Sequence, residues 1–487
     1  MTFFLANFLA LFAGVLLNFA FSPFDYGLCA IIALVIFTLL IHNVSPKTAS
    51  LRGYLFGLGL FGFGVSWVYV SVARFGGATV FEAILITALF VGFWALFPAL
   101  TAYLFSKLNR QVNLFLLPSL WVLVEYLRGE WILNGFPWLQ VAYSQLDTPL
   151  AGYIAVVGSY GTGFMLLMTA CLIASFIINR KLIFIFGLLI IWGLAYHLKT
   201  QQWTQPLAKP FQVTLLQGNI SQDQKWLPKN AEKTMRLYAQ MTAEHWDSAV
   251  IIWPETAIPA FYHKVQDNYL PSLAKQARKQ QTDLVVSLPM RNEGKIYNSV
   301  ITLGKKFGIY RKNHLLPFGE YMPLQPLSGA ILSRLKIRLG QFTSGGFNQP
   351  LLEAGGYAFI TSICYEDVFG SESIRQLDKA AYLVNVTNDA WFGDSLEPHQ
   401  HMQIARMRAL ESGRYLLRAT NTGLTGIVNP KGKLIKQAPL FKTTALTGMI
   451  EPMTGLTPYA KWGDKPVLVI ILLWGVALVF FSFKKYD

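Results

Sequence analysis

One stretch decides the fold of this chain: Ile360-Thr361-Ser362-Ile363-Cys364-Tyr365-Glu366-Asp367. Its β-branched residues favour a strand, and the strand ends at a cysteine followed by a polar, acidic turn. A thiol at the end of a strand lies at the rim of a sheet, where a base and a cation can reach it. We therefore interpret Cys364 as a nucleophile; a buried cysteine that packs as a small hydrophobe is the alternative.

The composition indicates a protein that lives partly in lipid. Of 487 residues, 53% are hydrophobic and only 14% are charged, and the mean hydropathy is +0.39, which is unusual for a soluble domain. The net charge of +15 comes without a basic patch interleaved with aromatic residues. This argues against nucleic acid as a partner. The excess of basic residues is better explained by membrane topology and by binding to anionic lipid head groups. Cys29 and Cys171 lie in apolar runs, so no disulfide framework is expected.

Apolar runs long enough to cross a bilayer, which takes about 20 residues, predict seven spans and one closing span. The runs are 3–19, 28–41, 54–72, 80–105, 114–127, 152–178, 182–198 and 467–483, and the second and fifth are short. Between the seventh run and the eighth, predicted strands alternate with predicted helices. The sequence therefore predicts a seven-helix membrane domain over residues 1–199, a catalytic α/β domain over 205–462 and a C-terminal transmembrane helix over 467–483.

Positive charge on the short loops predicts which side the α/β domain faces. With a cytoplasmic N-terminus, the cytoplasmic loops carry eight basic residues, namely Lys47, Arg52, Lys107, Arg110, Arg180, Lys181, Lys484 and Lys485. The opposite loops carry two, Arg74 and Arg128. The bias places the α/β domain outside the cytoplasm, which in a bacterium means the periplasmic face of the inner membrane.

Two more reactive groups follow predicted strands. Glu255 closes the apolar run 249–253, and Lys312 follows the strand 308–311; with Cys364 they are expected at the strand ends of one sheet. Taken singly, Glu255 reads as a solvated turn acid and Lys312 as a surface charge.

Together the three groups suit acyl transfer through a thioester. Glu255 would be the general base that takes the thiol proton, and Cys364 the nucleophile. Lys312, with the amide of Tyr365 as a candidate second donor, would stabilise the oxyanion by about 3 to 4 kcal/mol.

The motifs resemble those of a known superfamily. Trp253-Pro254-Glu255-Thr256, the segment Arg311 to Tyr321 (RKNHLLPFGEY) and Ile363-Cys364-Tyr365-Glu366-Asp367 are similar to the three motifs of the nitrilase, or carbon–nitrogen hydrolase, superfamily, which uses a Glu-Lys-Cys triad in an αββα sandwich. The membrane runs, Gly135-Phe136-Pro137-Trp138 and Ala419-Thr420-Asn421-Thr422-Gly423 narrow the resemblance to the apolipoprotein N-acyltransferase family.

This resemblance implies a two-step reaction. A phospholipid acyl chain passes to the cysteine and then to the α-amino group of a diacylglyceryl-modified N-terminal cysteine on an apolipoprotein. Position by position, the resemblance puts Glu255, Lys312 and Cys364 on the triad and Glu320 on a supporting acid. It makes functional, substrate-binding candidates of four further residues, Trp226, Asn298, Tyr365 and Glu366.

Apolar and aromatic side chains that exclude water would complete the site. Trp391 and Phe392 are candidates for this lining, with core packing as the alternative. His399 and His401 have no cluster of ligands with metal spacing in the sequence, so we expect neither a metal nor a cofactor. One chain supplies the whole constellation, which favours a monomer.

Two other functions fit part of the pattern. A membrane-anchored amidase or nitrilase would use the same triad with water as the acceptor. A transporter with a sensory domain would need ionisable residues in the middle of the spans, where they are nearly absent.

Overall fold

A computed structural model describes residues 2–109, 113–323 and 341–484, with side chains up to residue 480. The described residues form two compact units, divided after Gln201 and again after Ala460. The stretch 315–350, long and rich in Gly, Pro and apolar residues, predicts a lid or a membrane-dipping arm, and part of it lies outside the described residues, as do Arg110 and Lys485.

The first unit is helical, and each predicted apolar run overlaps at least one of its helices. They are Phe3–Asn18, Gly27–Ile41, Pro46–Gly64, Val68–Arg74, Val80–Leu108, Leu117–Tyr126, Ile154–Asn179, Ile183–Thr200 and Lys465–Lys484. Within the described residues, three segments are long and apolar enough to cross a membrane: Val80–Leu108, Pro149–Asn179 and Ile183–Thr200. A total of eight spans stays a prediction.

Two of the predicted runs differ from single long helices. The third run is broken after Gly64 into two helices bent by 56°, where the Trp67 indole donates a 3.0 Å hydrogen bond to the Gly64 carbonyl. If the bent pair is one span, it adds a fourth. The fifth run forms only the α-helix Leu117–Tyr126, which continues as a π-helical turn at Leu127–Trp131. Apolar composition predicts such runs, but hydropathy does not show where the helix within a run breaks or ends.

A buried ion pair stabilises the segment after this helix. The Arg128 guanidinium lies 3.8 Å from the Glu125 carboxylate and donates hydrogen bonds to the carbonyls of Phe136 and Trp138, at 2.6 and 2.8 Å. The charges of this segment therefore hold the Gly135-Phe136-Pro137-Trp138 turn in place.

The second unit is built on strands. They are β1 Gln205–Pro206, β2 Phe211–Gln217, β3 Val250–Ile252, β4 Asp283–Asn292, β5 Lys295–Leu303, β6 Gly308–Arg311, β7 Leu352–Ala354, β8 Tyr357–Ile363, β9 Tyr382–Thr387, β10 Leu416–Thr420, β11 Gly426–Val428, β12 Leu434–Gln437, β13 Thr444–Ile450 and β14 Met453–Thr454. The described helices of this unit are Gln222–Lys225, Pro228–Ala243, Tyr262–Val265, Tyr269–Lys279, Gly370–Ser373, Glu397–Ser412 and Pro458–Trp462.

Twelve of these strands form two six-stranded sheets, in the orders β13-β2-β3-β4-β5-β6 and β12-β11-β10-β9-β8-β7. Strands β2, β3 and β4 run parallel, as do β8, β9 and β10. The inner faces share one apolar core, to which Val250 and Ile252 contribute from one sheet and Ile363 and Val384 from the other.

Helices cover the outer faces. Pro228–Ala243 and Tyr269–Lys279 pack on the first sheet, and Glu397–Ser412 packs on the second. The order helix, sheet, sheet, helix is the αββα sandwich expected for this part of the chain. Strand β3 is apolar throughout because both of its faces are buried. Val250 and Ile252 face the inner core, and Ile251 faces the helices.

One expectation is wrong. Glu255 and Lys312 follow β3 and β6 of the first sheet, but Cys364 follows β8 of the second sheet. Strand periodicity identifies strands and not their partition between two sheets, so the sequence could not distinguish one sheet from two facing ones.

Candidate active site

Hydrogen bonds to the Glu255 side chain and to the backbone of the next residue hold Glu255 in place. Its Oε1 accepts a 2.6 Å hydrogen bond from the Asn298 side-chain amide on β5. The next residue, Thr256, has a positive φ of 49°, and its backbone N–H donates to the Ser287 hydroxyl at 2.9 Å. A β-branched residue in this region is strained, so the turn is fixed by its hydrogen bonds. The Glu255 carboxylate therefore has a defined direction.

Lys312 is buried, with 1% of its side chain exposed, and lies 2.8 Å from Glu320 Oε2. Its backbone N–H donates to the Asn298 carbonyl at 2.8 Å. Glu320 Oε2 also accepts from the Leu316 N–H at 2.8 Å. Burial favours the neutral amine, but Glu320, Cys364 and Glu255 outweigh it and raise the pKa of Lys312 above its ordinary value. The residue is thus a fixed ammonium.

Cys364 follows β8 directly, with φ at +53°. Its carbonyl accepts a 3.3 Å hydrogen bond from the Asn385 side-chain amide. Burial, with a further contribution from Glu255, raises the pKa of the Cys364 thiol to about 12, and Lys312 opposes the rise. The resting group is a thiol.

The three groups are close enough to change one another's ionisation. Burial raises the pKa of Glu255 above its ordinary value, and the Lys312 charge offsets part of that rise. Glu255 and Cys364 in turn raise the pKa of Lys312. The ends of β3, β6 and β8 thus gather a carboxylate, an ammonium and a thiol, with Asn298 bridging the first two through its side chain and its backbone.

Sequence reasoning missed a second buried lysine in this site. Lys225 is 3% exposed, and its ammonium donates a 2.9 Å hydrogen bond to the backbone carbonyl of Glu255. Burial lowers the pKa of Lys225 to about 8, although Glu255 and Cys364 favour its charged form. The only feature of the sequence that could have pointed to Lys225 is its position directly before Trp226, at the end of a short polar helix.

Glu366 is surrounded by donors. Its Oε1 accepts from the Tyr310 hydroxyl at 2.9 Å and from the backbone N–H groups of Asn313 and His314 at 2.6 and 3.1 Å. Its Oε2 accepts from the Ile363 N–H at 2.7 Å. The four donors favour the carboxylate, although burial and Glu372 raise the pKa of Glu366 to about 7. Glu366 therefore ties the segment after Lys312 to the turn of Cys364.

The aromatic candidates differ in burial. Tyr365 is 5% exposed and packs edge-on against Phe369 at 5.5 Å between ring centroids. Trp226 and Trp391 are 50% and 40% exposed, so core packing does not account for Trp391. Phe392 is half-buried. The role of the two exposed indoles in substrate binding stays a prediction.

The sequence shows no cluster of titratable residues around His401, but in the structure His401 lies among buried carboxylates. One potential ligand atom each from Asp389, Glu397 and His401 lies within 4.8 Å of the other two. Both ring nitrogens of His401 already face carboxylates, with Nε2 2.8 Å from Asp367 and Nδ1 3.3 Å from Asp389. These residues come from separate segments, so their grouping has no signature in sequence spacing.

Comparison with known proteins agrees with both halves of the chain. Residues 13–172 match the family model described as the apolipoprotein N-acyltransferase N-terminal domain, and residues 212–459 match the one described as carbon-nitrogen hydrolase. An apolipoprotein N-acyltransferase of Methylococcus capsulatus is 50% identical over 95% of this chain and 94% of its own length. The proteins of that name from Nitrosomonas europaea and Vibrio cholerae are 41% and 38% identical, over 97% and 94% of this chain and the same shares of their own lengths.

The sandwich and the motifs at its strand ends define a carbon–nitrogen hydrolase domain, joined here to a helical, apolar N-terminal unit. With full-length relatives of up to 50% identity, the chain belongs to the apolipoprotein N-acyltransferase family.

Proposed function

We propose that this protein transfers a fatty acyl chain from a phospholipid, through a thioester on Cys364, to the α-amino group of the S-diacylglyceryl-cysteine at the N-terminus of an apolipoprotein. The observation that carries the proposal is the gathering of Glu255, Lys312 and Cys364 at the ends of β3, β6 and β8, in a chain of this family.

In the first half-reaction, Glu255 accepts the proton of the Cys364 thiol while the sulfur attacks the ester carbonyl carbon. Because the resting group is a thiol and the pKa of Glu255 is raised, the transfer is coupled to the attack. Lys312 stabilises the oxyanion. The carbon–oxygen bond then breaks, and Glu255 returns its proton to the departing lysophospholipid oxygen.

In the second half-reaction, the neutral α-amine attacks the thioester. An α-amino group has a pKa of about 7.7 to 8.0, so an appreciable neutral fraction exists near pH 7. Glu255 takes one proton from the nitrogen as the amide forms, and this proton returns to the sulfur as the carbon–sulfur bond breaks. The thiol and the carboxylate are then restored.

Glu320 and Asn298 support this chemistry without touching the reacting atoms. Glu320 keeps Lys312 charged and in place, and Asn298 aims the Glu255 carboxylate. The exposed indoles of Trp226 and Trp391, with Phe392 and Tyr365, form the apolar wall that receives the acyl chain and limits the access of water.

Loop charges support an arrangement in the bacterial inner membrane. The eight-to-two distribution of basic residues supports a periplasmic catalytic domain, where phospholipid and lipoprotein would be available. Residues 1–199 and 467–483 would be the membrane domain and its last helix, and a single chain would act as a monomer.

Trapping the acyl-enzyme tests this function. Purified protein incubated with phospholipid is expected to carry one acyl group on Cys364 and to release lysophospholipid, whereas Cys29 and Cys171 stay unmodified. Addition of a diacylglyceryl-cysteine peptide should clear the thioester and yield an N-acyl peptide. Cys364→Ser should fold and form no thioester. A thioester cleared by water as fast as by the peptide would instead identify an amidase or hydrolase, and no acyl group on Cys364 would refute the proposal.

A further inference from the structure

Five charged side chains lie buried next to the nucleophile turn. They are Asp367, Asp389, Glu397, His401 and Arg418, between 0% and 2% exposed. Burying ionised groups is unfavourable unless each is paired with good geometry. The cluster therefore calls for a role beyond packing.

Two cations and three carboxylates form one group of ion pairs, in which Glu397 Oε1 lies 3.3 Å from His401 Nδ1. The Arg418 guanidinium lies 2.9 Å from Asp367 Oδ2 and 3.2 Å from Asp389 Oδ2. The His401 ring bridges the same two carboxylates from the other side, with Nε2 2.8 Å from Asp367 Oδ1 and Nδ1 3.3 Å from Asp389 Oδ1. Burial and Arg418 oppose a charge on His401, but the two aspartates outweigh them and hold its pKa well above the ordinary value.

This set reaches the nucleophile through one amide. Arg418 Nη1 donates a 2.6 Å hydrogen bond to Asn385 Oδ1. Asn385 Nδ2 in turn donates to the Cys364 carbonyl at 3.3 Å and to the Ser362 hydroxyl at 3.0 Å. Because the Oδ1 is taken by the guanidinium, the amide can only present its N–H groups to Cys364.

Cys364 needs such support. Its φ of +53° lies in the left-handed region that disfavours residues with a Cβ. Asp367, three residues further on, is held by both cations of the cluster. The turn Cys364–Val368 is thus fixed at its first carbonyl and again at Asp367.

The cluster also fixes the segment of Trp391. Asp389 precedes Trp391 by two residues and accepts a 3.2 Å hydrogen bond from the Thr387 hydroxyl. At Gly423, a Cβ would lie 2.1 Å from Asp389 Oδ2, so the close approach requires glycine. The nucleophile turn and the aromatic segment are therefore joined by the same charges.

We infer that Asp367, Asp389, His401, Arg418 and Asn385 form a positioning network that holds the strained Cys364 backbone so that its sulfur points at Glu255 and Lys312. The inference rests on the proposed function in taking Cys364 as the nucleophile. Through Asn385, which contacts the Cys364 carbonyl and not the segment of Trp391, the network acts on the rate of thioester formation and not on the binding of the phospholipid.

A shared metal ion is the competing explanation for the same residues. Arg418 and His401 already supply two positive charges to Asp367 and Asp389. Burial, with a further contribution from Asp389, raises the pKa of Glu397 to about 7, so a proton can neutralise the remaining carboxylate. Glu397 Oε1 lies 3.3 Å from His401 Nδ1, so each of the three carboxylates already faces a cationic side chain of the protein.

The test compares substitutions in the full-length enzyme in detergent. Asn385→Asp keeps the side-chain shape and the pairing with Arg418 but removes the donor to the Cys364 carbonyl. We expect the single-turnover rate constant for acylation of Cys364 to fall by about 100-fold, as expected for a misplaced reacting group. The KM for phospholipid should change by less than about twofold, because binding residues are untouched. Arg418→Lys should retain more of the rate than Arg418→Met.

Arg414 offers a matched control. It is as buried as Arg418, but it donates to the backbone carbonyls of Ala380, Leu377 and Gly455 and has no hydrogen bond to the Asn385 amide. Arg414→Lys is expected to lower the thermal midpoint while the acylation rate constant of the folded fraction stays unchanged.

Each alternative has its own outcome. Equal acylation rates in folded Asn385→Asp and wild type would overturn the inference, as would a rise in KM without a change in rate. One equivalent of tightly bound metal in the purified protein would replace the network with a metal site. Failure of the wild type itself to form the thioester would refute the proposed function and not the network alone.

Discussion

The Asn298 amide donates a 2.6 Å hydrogen bond to the Glu255 carboxylate. The same residue accepts the Lys312 backbone N–H through its carbonyl at 2.8 Å. One residue of β5 thereby fixes the proposed general base, Glu255, and the proposed oxyanion-stabilising residue, Lys312, relative to each other. Asn298 is not one of the three reactive groups, but it holds two of them in position.

Replacing Asn298 with alanine should misalign the base. We expect the acylation rate constant of Cys364 in Asn298→Ala to fall by about 100-fold, because a general base acts only within hydrogen-bond reach of its proton. Stopped-time mass spectrometry of the acyl-enzyme measures this. Asn292→Ala, at the exposed end of β4, is the control and should react like wild type. An Asn298→Ala enzyme with full activity would show that Glu255 is not the base.

Two substitutions should move the pH dependence in opposite directions. Glu255 must be deprotonated to accept a proton, so kcat/KM rises with pH through the pKa of Glu255. The Glu320 charge raises that pKa and the Lys225 charge lowers it. Glu320→Gln should therefore shift the acid limb of the profile to lower pH, and Lys225→Met should shift it to higher pH.

These profiles have a simple control in Lys229→Met, because Lys229 is exposed and should leave the limb in place. Shifts of the same sign for Glu320→Gln and Lys225→Met would contradict the assignment of the limb to Glu255.

Glu366 should matter for stability as well as for rate. In Glu366→Gln, the amide NH2 must face one of the donors that now meet the carboxylate, which leaves a buried group unsatisfied at a cost of about 1 to 3 kcal/mol. A lowered midpoint of thermal unfolding measures the effect. Glu353→Gln removes an exposed ion pair with Lys306, which contributes about 0 to 1 kcal/mol. Equal midpoints for the two variants would show that Glu366 does not hold the turn.

Local patterns predicted most elements of the fold and its reactive groups. The apolar run at β3 and the β-branched run at β8 predict that Glu255 and Cys364 follow strands, which is confirmed, whereas their roles as base and nucleophile stay predictions. The segments 297–302 and 308–311 predict a hairpin, and β5 and β6 form it. Strand β7, of three residues, and strands β11 to β13 were not expected, because they are too short or too irregular for periodicity to identify.

Long-range pairings could not be predicted from the sequence. Lys225 lies 30 residues from Glu255, and Arg418 lies 51 residues from Asp367. Such contacts follow from the order of strands in two sheets, which local periodicity does not encode. The bend after Gly64, where the Trp67 indole donates to the Gly64 carbonyl, was not expected either, because hydropathy does not register breaks in a helix.

The arrangement across the membrane can be tested with cysteine labelling. In a Cys29→Ser, Cys171→Ser, Cys364→Ser background, one new cysteine at Lys209, exposed in the second unit, is expected to react with a membrane-impermeant maleimide in cells with a permeabilised outer membrane. A cysteine at Lys47, on a predicted cytoplasmic loop and also exposed, should react only after the inner membrane is opened. Because both positions are accessible to solvent, a difference between them reports the membrane side. The reverse pattern would place the catalytic domain in the cytoplasm, away from the lipoproteins on which the proposed reaction depends.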